Sequence, residues 1–289
     1  MRYEEPVYRP PSEAASYLLH VTYGCSHNRC SYCAMYLQKT FRVRPLEQVR
    51  QDIEAAACAY PVTDKVFLLD GDAMTLSSAR LLPVLESLRA AFPRLRRVSA
   101  YSNADSVLDK SDAELRELQE AGLGLLYFGL ESGDDPTLER VVKGATAREY
   151  TDAVLRSKAA GIKASVMGLI GIAGRERWRT HAEATARVVS EMSPRFFSLL
   201  TVTPVPGTSF HEEVQSGRIT LPDARETLEE LRAILQGLEC NGTIFRSNHA
   251  SNYLPLAGRL PQDRERLVAL VDDALDGRLE LKPEWLRGL

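Results

Sequence analysis

Three cysteines crowd into the segment HVTYGCSHNRCSYCAMY, spaced as Cys25-x4-Cys30-x2-Cys33. Thiolates are soft ligands suited to iron–sulfur clusters, zinc and Cu(I). A structural zinc site wants four ligands, so a zinc reading must borrow one from His20, His27 or a distant residue. A cubane cluster usually takes four cysteines. Three would leave one iron open, where a small molecule bearing an amine and a carboxylate could chelate. The other two cysteines stand apart. Cys58 in AAACAY reads as a small buried thiol on a helix, and Cys240 as a structural residue before Asn241-Gly242.

Further polar groups sit where apolar runs end. Leu69-Asp70-Gly71-Asp72 is either a turn or a pair of carboxylates at a strand end. Ser102 and Asn103 follow another run, and fit ribose or substrate contacts or simply a turn. In Gly129-Leu130-Glu131-Ser132-Gly133-Asp134-Asp135 the carboxylate of Glu131 closes an apolar strand, and a buried carboxylate without a partner is costly. Met167–Glu176 carries glycines that permit close approach of main chain to a ligand, around Ile170 and Gly171. Arg175 either clamps a carboxylate in a bidentate fork or decorates a helix start. Downstream, Ile244–Tyr253 is rich in hydrogen-bonding side chains. Arg246, Asn248, His249 and Asn252 are its substrate-binding candidates, with His249 the titratable one. Tyr36, Lys39, Arg42 and Arg44 are weaker candidates just past the cysteines.

The elements that must position these groups alternate. Candidate strands are Tyr17–Thr22, Val66–Asp70, Arg97–Tyr101, Leu125–Glu131, Lys163–Ile170 and Phe196–Val202, each an apolar run bounded by turn residues. Between them lie amphipathic helices with faces such as Leu81, Leu82, Leu85 and Leu88, or Trp178, Ala182, Ala186 and Val189. Ser111 and Glu114 spell a capping box, and Pro222 suits the first turn of a later helix bearing Leu228, Leu231, Ile234, Leu235 and Leu238. A last helix carries Leu267, Leu270, Val271 and Leu275. The alternation argues for an α/β fold with a parallel sheet, either a partial (β/α)6 TIM-like barrel or an open doubly wound sheet. In both, chemistry belongs at the C-terminal ends of the strands.

The cysteine spacing after the first strand, with Tyr32 before the last cysteine, resembles the radical S-adenosylmethionine (SAM) superfamily. The first gap is one residue longer than in its commonest pattern. The resemblance continues strand by strand, through the Asp70–Asp72 turn, the GLESG segment, the glycine turn and Pro204-Val205-Pro206-Gly207-Thr208. That last turn is similar to one in enzymes related to oxygen-independent coproporphyrinogen oxidases and the B12-type group. The resemblance implies the partial barrel, with a [4Fe–4S] cluster on Cys25, Cys30 and Cys33. It implies SAM contacts by Tyr32, Asp70, Gly71, Asp72, Ser102, Glu131, Ser132, Ile170, Gly171 and Arg175. One electron would then cleave SAM to methionine and a 5′-deoxyadenosyl radical. The expected organisation is a flexible segment 1–14, a core 15–210, and a C-terminal helical extension 211–289 with a substrate-side loop 244–254.

Composition narrows the partners. A formal net charge of −3 over 289 residues gives no electrostatic footprint for nucleic acid. The basic clusters Arg42/Arg44 and Arg94/Arg96/Arg97 read as solvated faces. No long apolar run or signal core occurs, so the expected location is cytoplasmic and off the membrane. The expected partners are a small organic substrate that yields hydrogen to the radical and a one-electron donor such as flavodoxin or ferredoxin. The rival readings are a radical SAM enzyme acting on tRNA and a zinc-binding structural protein.

Overall fold

The computed structural model describes residues 3–288. All six apolar runs become strands close to their expected bounds: β1 Tyr17–His20, β4 Lys65–Leu69, β5 Arg97–Tyr101, β6 Leu123–Glu131, β7 Lys163–Ile170 and β8 Phe196–Thr201. The first run stops early because the chain turns into a separate ladder, β2 Thr22–Tyr23 against β3 Arg42–Val43. Two strands come from the region expected to be helical, β9 Thr243–Arg246 and β10 Ala257–Leu260. Their signal is short: only Thr243 and Phe245 of β9 are buried, amid polar neighbours that read as a loop.

The main sheet runs β1-β4-β5-β6-β7-β8-β9-β10. The pairs β1–β4, β4–β5, β5–β6, β7–β8 and β8–β9 are parallel, and β9–β10 is antiparallel. Helices α1 Leu46–Ala59, α2 Ser78–Ala91, α3 Ala104–Leu108, α4 Asp112–Glu120, α5 Asp135–Arg140, α6 Ala147–Ala159, α7 Gly174–Met192, α8 Ser209–Gln215, α9 Ala224–Gly237 and α10 Arg264–Leu275 connect or flank the strands. The mostly parallel sheet with intervening helices is the α/β class that the alternation demands.

Backbone contacts divide the chain into two compact units. Of the described residues, the first comprises 3–28, 35–128 and 152–164; the second comprises 29–34, 129–151 and 165–288. In the first, β4 is buried along Val66–Leu69, as a strand covered on both faces must be. Helix α2 buries Leu81, Val84, Leu85 and Leu88, while Leu82 is only half-buried. The end of the segment expected to be flexible is ordered in this unit. Pro11–Glu13 forms a 3₁₀ turn, and the fully buried Glu13 binds Ser16, Arg97 and Tyr127. Arg97 is thus a charge partner and not part of a solvated patch. Arg44 is another, bonded to Asp52 and to the His20 carbonyl, both at Nη1. Cys58 is exposed, contrary to expectation, because it falls off the buried Val49/Ile53/Ala56 stripe of α1.

In the second unit, α7 and α9 lie side by side. The face of α7 buries Ala182, Ala186 and Val189 as expected, but Trp178 is half-exposed and His181 and Thr185 join the buried set. Helix α9 buries Leu228, Leu231, Ile234 and Leu235. It begins after Asp223, whose capping box with Glu226 leaves Pro222 outside the first turn. The Ser111–Glu114 capping box forms on α4. Cys240 is buried, its thiol 3.5 Å from the Val189 carbonyl. No helix among the described residues is long and apolar enough to cross a membrane.

Candidate active site

In the first unit the site is a knot of turns around Cys25. Gly71 donates its N–H to the Gly24 carbonyl at 3.0 Å, pressing the turn after β4 onto the cysteine loop. A Cβ at Gly71 would stand 2.5 Å from Cys25 Cβ and 2.9 Å from its Sγ, so only glycine fits. Asp70 precedes it in the left-handed region at φ 70°. Its buried carboxylate accepts the Gly24 N–H at 2.8 Å and the Lys39 ammonium at 3.1 Å, with His20 Nε2 at 3.5 Å. Asp72 is buried among neutral donors: Ser106 Oγ at 2.6 Å, Ser26 Oγ at 2.8 Å and Asn103 Nδ2 at 3.1 Å. Burial pushes its carboxyl above the ordinary value, and these hydrogen bonds work against that shift. Both carboxylates are therefore spent on fastening the loop. Asn103 serves Asp72, and Ser102 Oγ donates to the Asn103 carbonyl at 2.8 Å. Tyr36 is buried edge-on to Tyr8, its ring centroid 5.8 Å away.

In the second unit Cys33 donates its N–H to the Cys30 carbonyl at 3.1 Å, closing a turn that carries Tyr32. Glu131 ends β6 at φ 64°, where a non-glycine residue is strained by roughly 1–2 kcal/mol. Its carboxylate lies 3.0 Å from the buried ammonium of Lys143, which in turn reaches the Tyr32 hydroxyl at 3.3 Å. Burial alone would lower the lysine pKa, but the surroundings, with Glu131 the anion among them, hold it well above the ordinary value. Burial pushes the Cys30 thiol up, while Lys143 pulls it down. A Cβ at Gly129 would stand 2.1 Å from Glu131 Oε1, so this glycine makes room for the ion pair.

Other expected ligands are engaged elsewhere. Ser132 is buried with its Oγ 2.7 Å from His181 Nδ1. Ile170 is buried at the end of β7, and Gly171 donates its N–H to Glu230 Oε1 at 3.0 Å. Arg175 binds Glu226 at 2.6 Å and Asp223 at 3.2 Å, so its fork is committed to α9. Asn252 is a buried staple, donating to the Leu199 carbonyl at 2.8 Å and accepting from Thr201 Oγ1 at 2.9 Å. His249 is half-buried, with Nδ1 2.9 Å from Ser251 Oγ. The Ser251 backbone N–H donates to Nδ1 at 3.2 Å, so Nδ1 is an acceptor and the imidazole hydrogen lies on Nε2. Burial, then Lys282, lowers the His249 pKa and keeps the ring neutral at pH 7. Arg246 and Asn248 are exposed.

Lys143, Ser26, His181 and Glu230 carry no motif in the sequence. Only Lys143 leaves a trace there, because a carboxylate buried at Glu131 requires a cation nearby.

None of the five cysteines is disulfide-bonded, and those of the loop are half-exposed. Among the described residues no three His, Cys, Asp or Glu side chains converge as a single metal ion requires. A soft three-thiol set, one member against a glycine cradle and another beside a buried ammonium, suits a multi-iron cluster better than zinc.

The comparisons agree with this chemistry. Residues 19–183, more than half the chain, match the model of the radical SAM superfamily. The chain is 26% identical to the uncharacterized methyltransferase PH0819 of Pyrococcus horikoshii over 68% of its own length and 42% of that protein's. It is 21% identical to the heme chaperone HemW of Bacillus subtilis, over 78% of the chain and 60% of the relative. Its fold is similar to that of the radical SAM methyltransferase TsrM of Kitasatospora setae, solved with cobalamin and a [4Fe–4S] cluster bound. There the TM-score is 0.56 at 19% identity, over 70% of this chain and 39% of the other. The chain thus spans less than two-thirds of each of these relatives. It is an enzyme that belongs to the radical SAM superfamily, with the partial TIM-like barrel fold and a [4Fe–4S] cluster and SAM as cofactors.

Proposed function

We propose that Cys25, Cys30 and Cys33 hold the cluster and that SAM lies against the turns ending β4, β6 and β7, with a small organic molecule as the second substrate. The observation that carries this reading is the Glu131–Lys143–Tyr32 set beside Cys30. It is a strained, buried, charged arrangement that a purely structural core would not need. When bound, the cluster supplies the electron that cleaves SAM to methionine and a 5′-deoxyadenosyl radical, which takes hydrogen from the substrate.

The chain's own residues do the rest. Lys143 pairs with one Glu131 oxygen at 3.0 Å, and the carboxylate's other oxygen can accept hydrogen bonds from the SAM ammonium or ribose. Asp70 and Asp72 fix the 70–72 turn and leave its backbone carbonyls to the ligand. The Tyr32 ring packs against the apolar cluster that includes Leu169 and Ile172, next to the Gly171 turn. His249, through its Nε2–H, with Arg246 and Asn248, offers donors to the substrate. Residues 15–210 form the catalytic core, 211–289 complete the substrate side, and a flavodoxin- or ferredoxin-type protein delivers the electron.

Anaerobic iron, sulfide and visible-spectrum measurements on wild type and Cys30→Ala test the reading. About four irons per chain and a brown absorbance lost in the variant support it. Stoichiometric zinc with no iron uptake refutes it.

A further inference from the structure

Helix α7 carries a buried histidine that the proposed chemistry does not use. His181 Nδ1 lies 2.7 Å from Ser132 Oγ, and its Nε2 lies 3.2 Å from Glu230 Oε1. All three side chains are 0% exposed. The chain of contacts extends at both ends into backbone. Ser132 Oγ accepts the Asp134 N–H at 3.0 Å, and Glu230 Oε1 accepts the Gly171 N–H at 3.0 Å. The Ser132–His181 contact is a hydrogen bond, whereas His181 Nε2 approaches Glu230 Oε1 at ion-pair distance without making a hydrogen bond.

The chain therefore ties the turn after β6 to the turn after β7, using one side chain from α7 and one from α9. Its frame is tight. Gly133 donates to Thr185 Oγ1 at 2.9 Å, and a Cβ there would stand 2.4 Å from the Ala184 carbonyl oxygen. Helix α9 is fastened along α7 by Arg175 with Asp223 and Glu226 at one end, and by Gly237 against Ala186 at the other. An apolar pair would fill this core at lower cost, since burying a carboxylate and an imidazole is unfavourable unless both are bonded.

We propose that His181 and Glu230 are positioning residues, which hold the Ser132 and Gly171 turns at the separation SAM requires, a role that rests on the SAM placement proposed above. Glu230 Oε2 is buried without a hydrogen bond, so only Oε1 does the holding. Glutamine can reproduce that oxygen; leucine cannot.

The test compares wild type, Glu230→Gln, Glu230→Leu and Ser132→Ala. Amide hydrogen exchange on the cluster-free chain is followed in peptides covering 129–136 and 168–176, with 65–70 of β4 as reference. The KM for SAM and the kcat for 5′-deoxyadenosine are then measured after reconstitution. Glu230→Leu is expected to speed exchange in the two turn windows alone and to raise the SAM KM about tenfold or more with kcat nearly kept. Glu230→Gln should restore both readouts. Ser132→Ala, which removes only a hydroxyl, should raise KM by roughly threefold to tenfold. Exchange that rises equally in all three windows for Glu230→Leu, or an unchanged KM in Ser132→Ala, overturns the proposal. A wild-type enzyme that makes no 5′-deoxyadenosine strikes the SAM placement instead, while the exchange arm still reports on the tie between the turns.

Discussion

Asp72 and Glu131 both stand at or just beyond strand ends, both are buried, and they are satisfied in opposite ways. Asp72 is ringed by hydroxyls and an amide, and burial raises its pKa. Glu131 faces an ammonium that its surroundings keep charged. A carboxylate held by neutral donors has all its lone pairs directed into neighbouring loops, which suits a fixed anchor. A carboxylate held by one cation keeps an oxygen for another partner. In the first unit, charge is buried to build the loop under Cys25; in the second, it is buried to stay available.

Substitutions can break that contrast. The largest effect is expected from Lys143→Met, which strands the Glu131 carboxylate and should cost about 3–5 kcal/mol in urea unfolding of the cluster-free chain. Adding Glu131→Gln should recover most of that stability but not SAM cleavage. A loss below about 1 kcal/mol in the single variant contradicts a buried ion pair. Asp72→Ala should cost about 1–3 kcal/mol, by leaving the Ser26, Ser106 and Asn103 donors unpaired.

The pH dependence sharpens the same comparison. Because the Asp72 pKa is raised on folding, the native state binds the proton more tightly, and the group stabilises the fold as pH falls from the native value towards the ordinary one near 4. Asp72→Asn should remove that gain, which parallel urea titrations at several pH values would reveal. A smaller change belongs to His249, whose pKa is lowered on folding. Its contribution is full above pH ~6.5 and fades as pH falls through the native pKa, so the stability gap between wild type and His249→Gln should narrow on acidification.

Much of this was legible in the residues. Strands β4 to β7 are nearly continuous apolar runs, so their existence and bounds followed from composition. The Ser111 box followed from local spacing. Strand β9 was not legible, because four residues of which only two are buried, among polar neighbours, look like a loop until a parallel partner, β8, is in place. Residue types mark where the strands end, but not which partners the side chains there take. Whether Asp70 and Arg175 face a ligand or a helix depends on Lys39, Asp223 and Glu226, which are distant in sequence. Lys143, His181 and Glu230 escaped for the same reason: a buried charge declares itself only through its partner.

The most direct test is 5′-deoxyadenosine formation by anaerobically reconstituted protein given SAM and a one-electron reductant. The account predicts 5′-deoxyadenosine and methionine in equal amounts, dependent on the reductant and absent in Cys30→Ala. A protein that carries about four irons yet yields neither product, or one whose Cys30→Ala variant yields both, contradicts it.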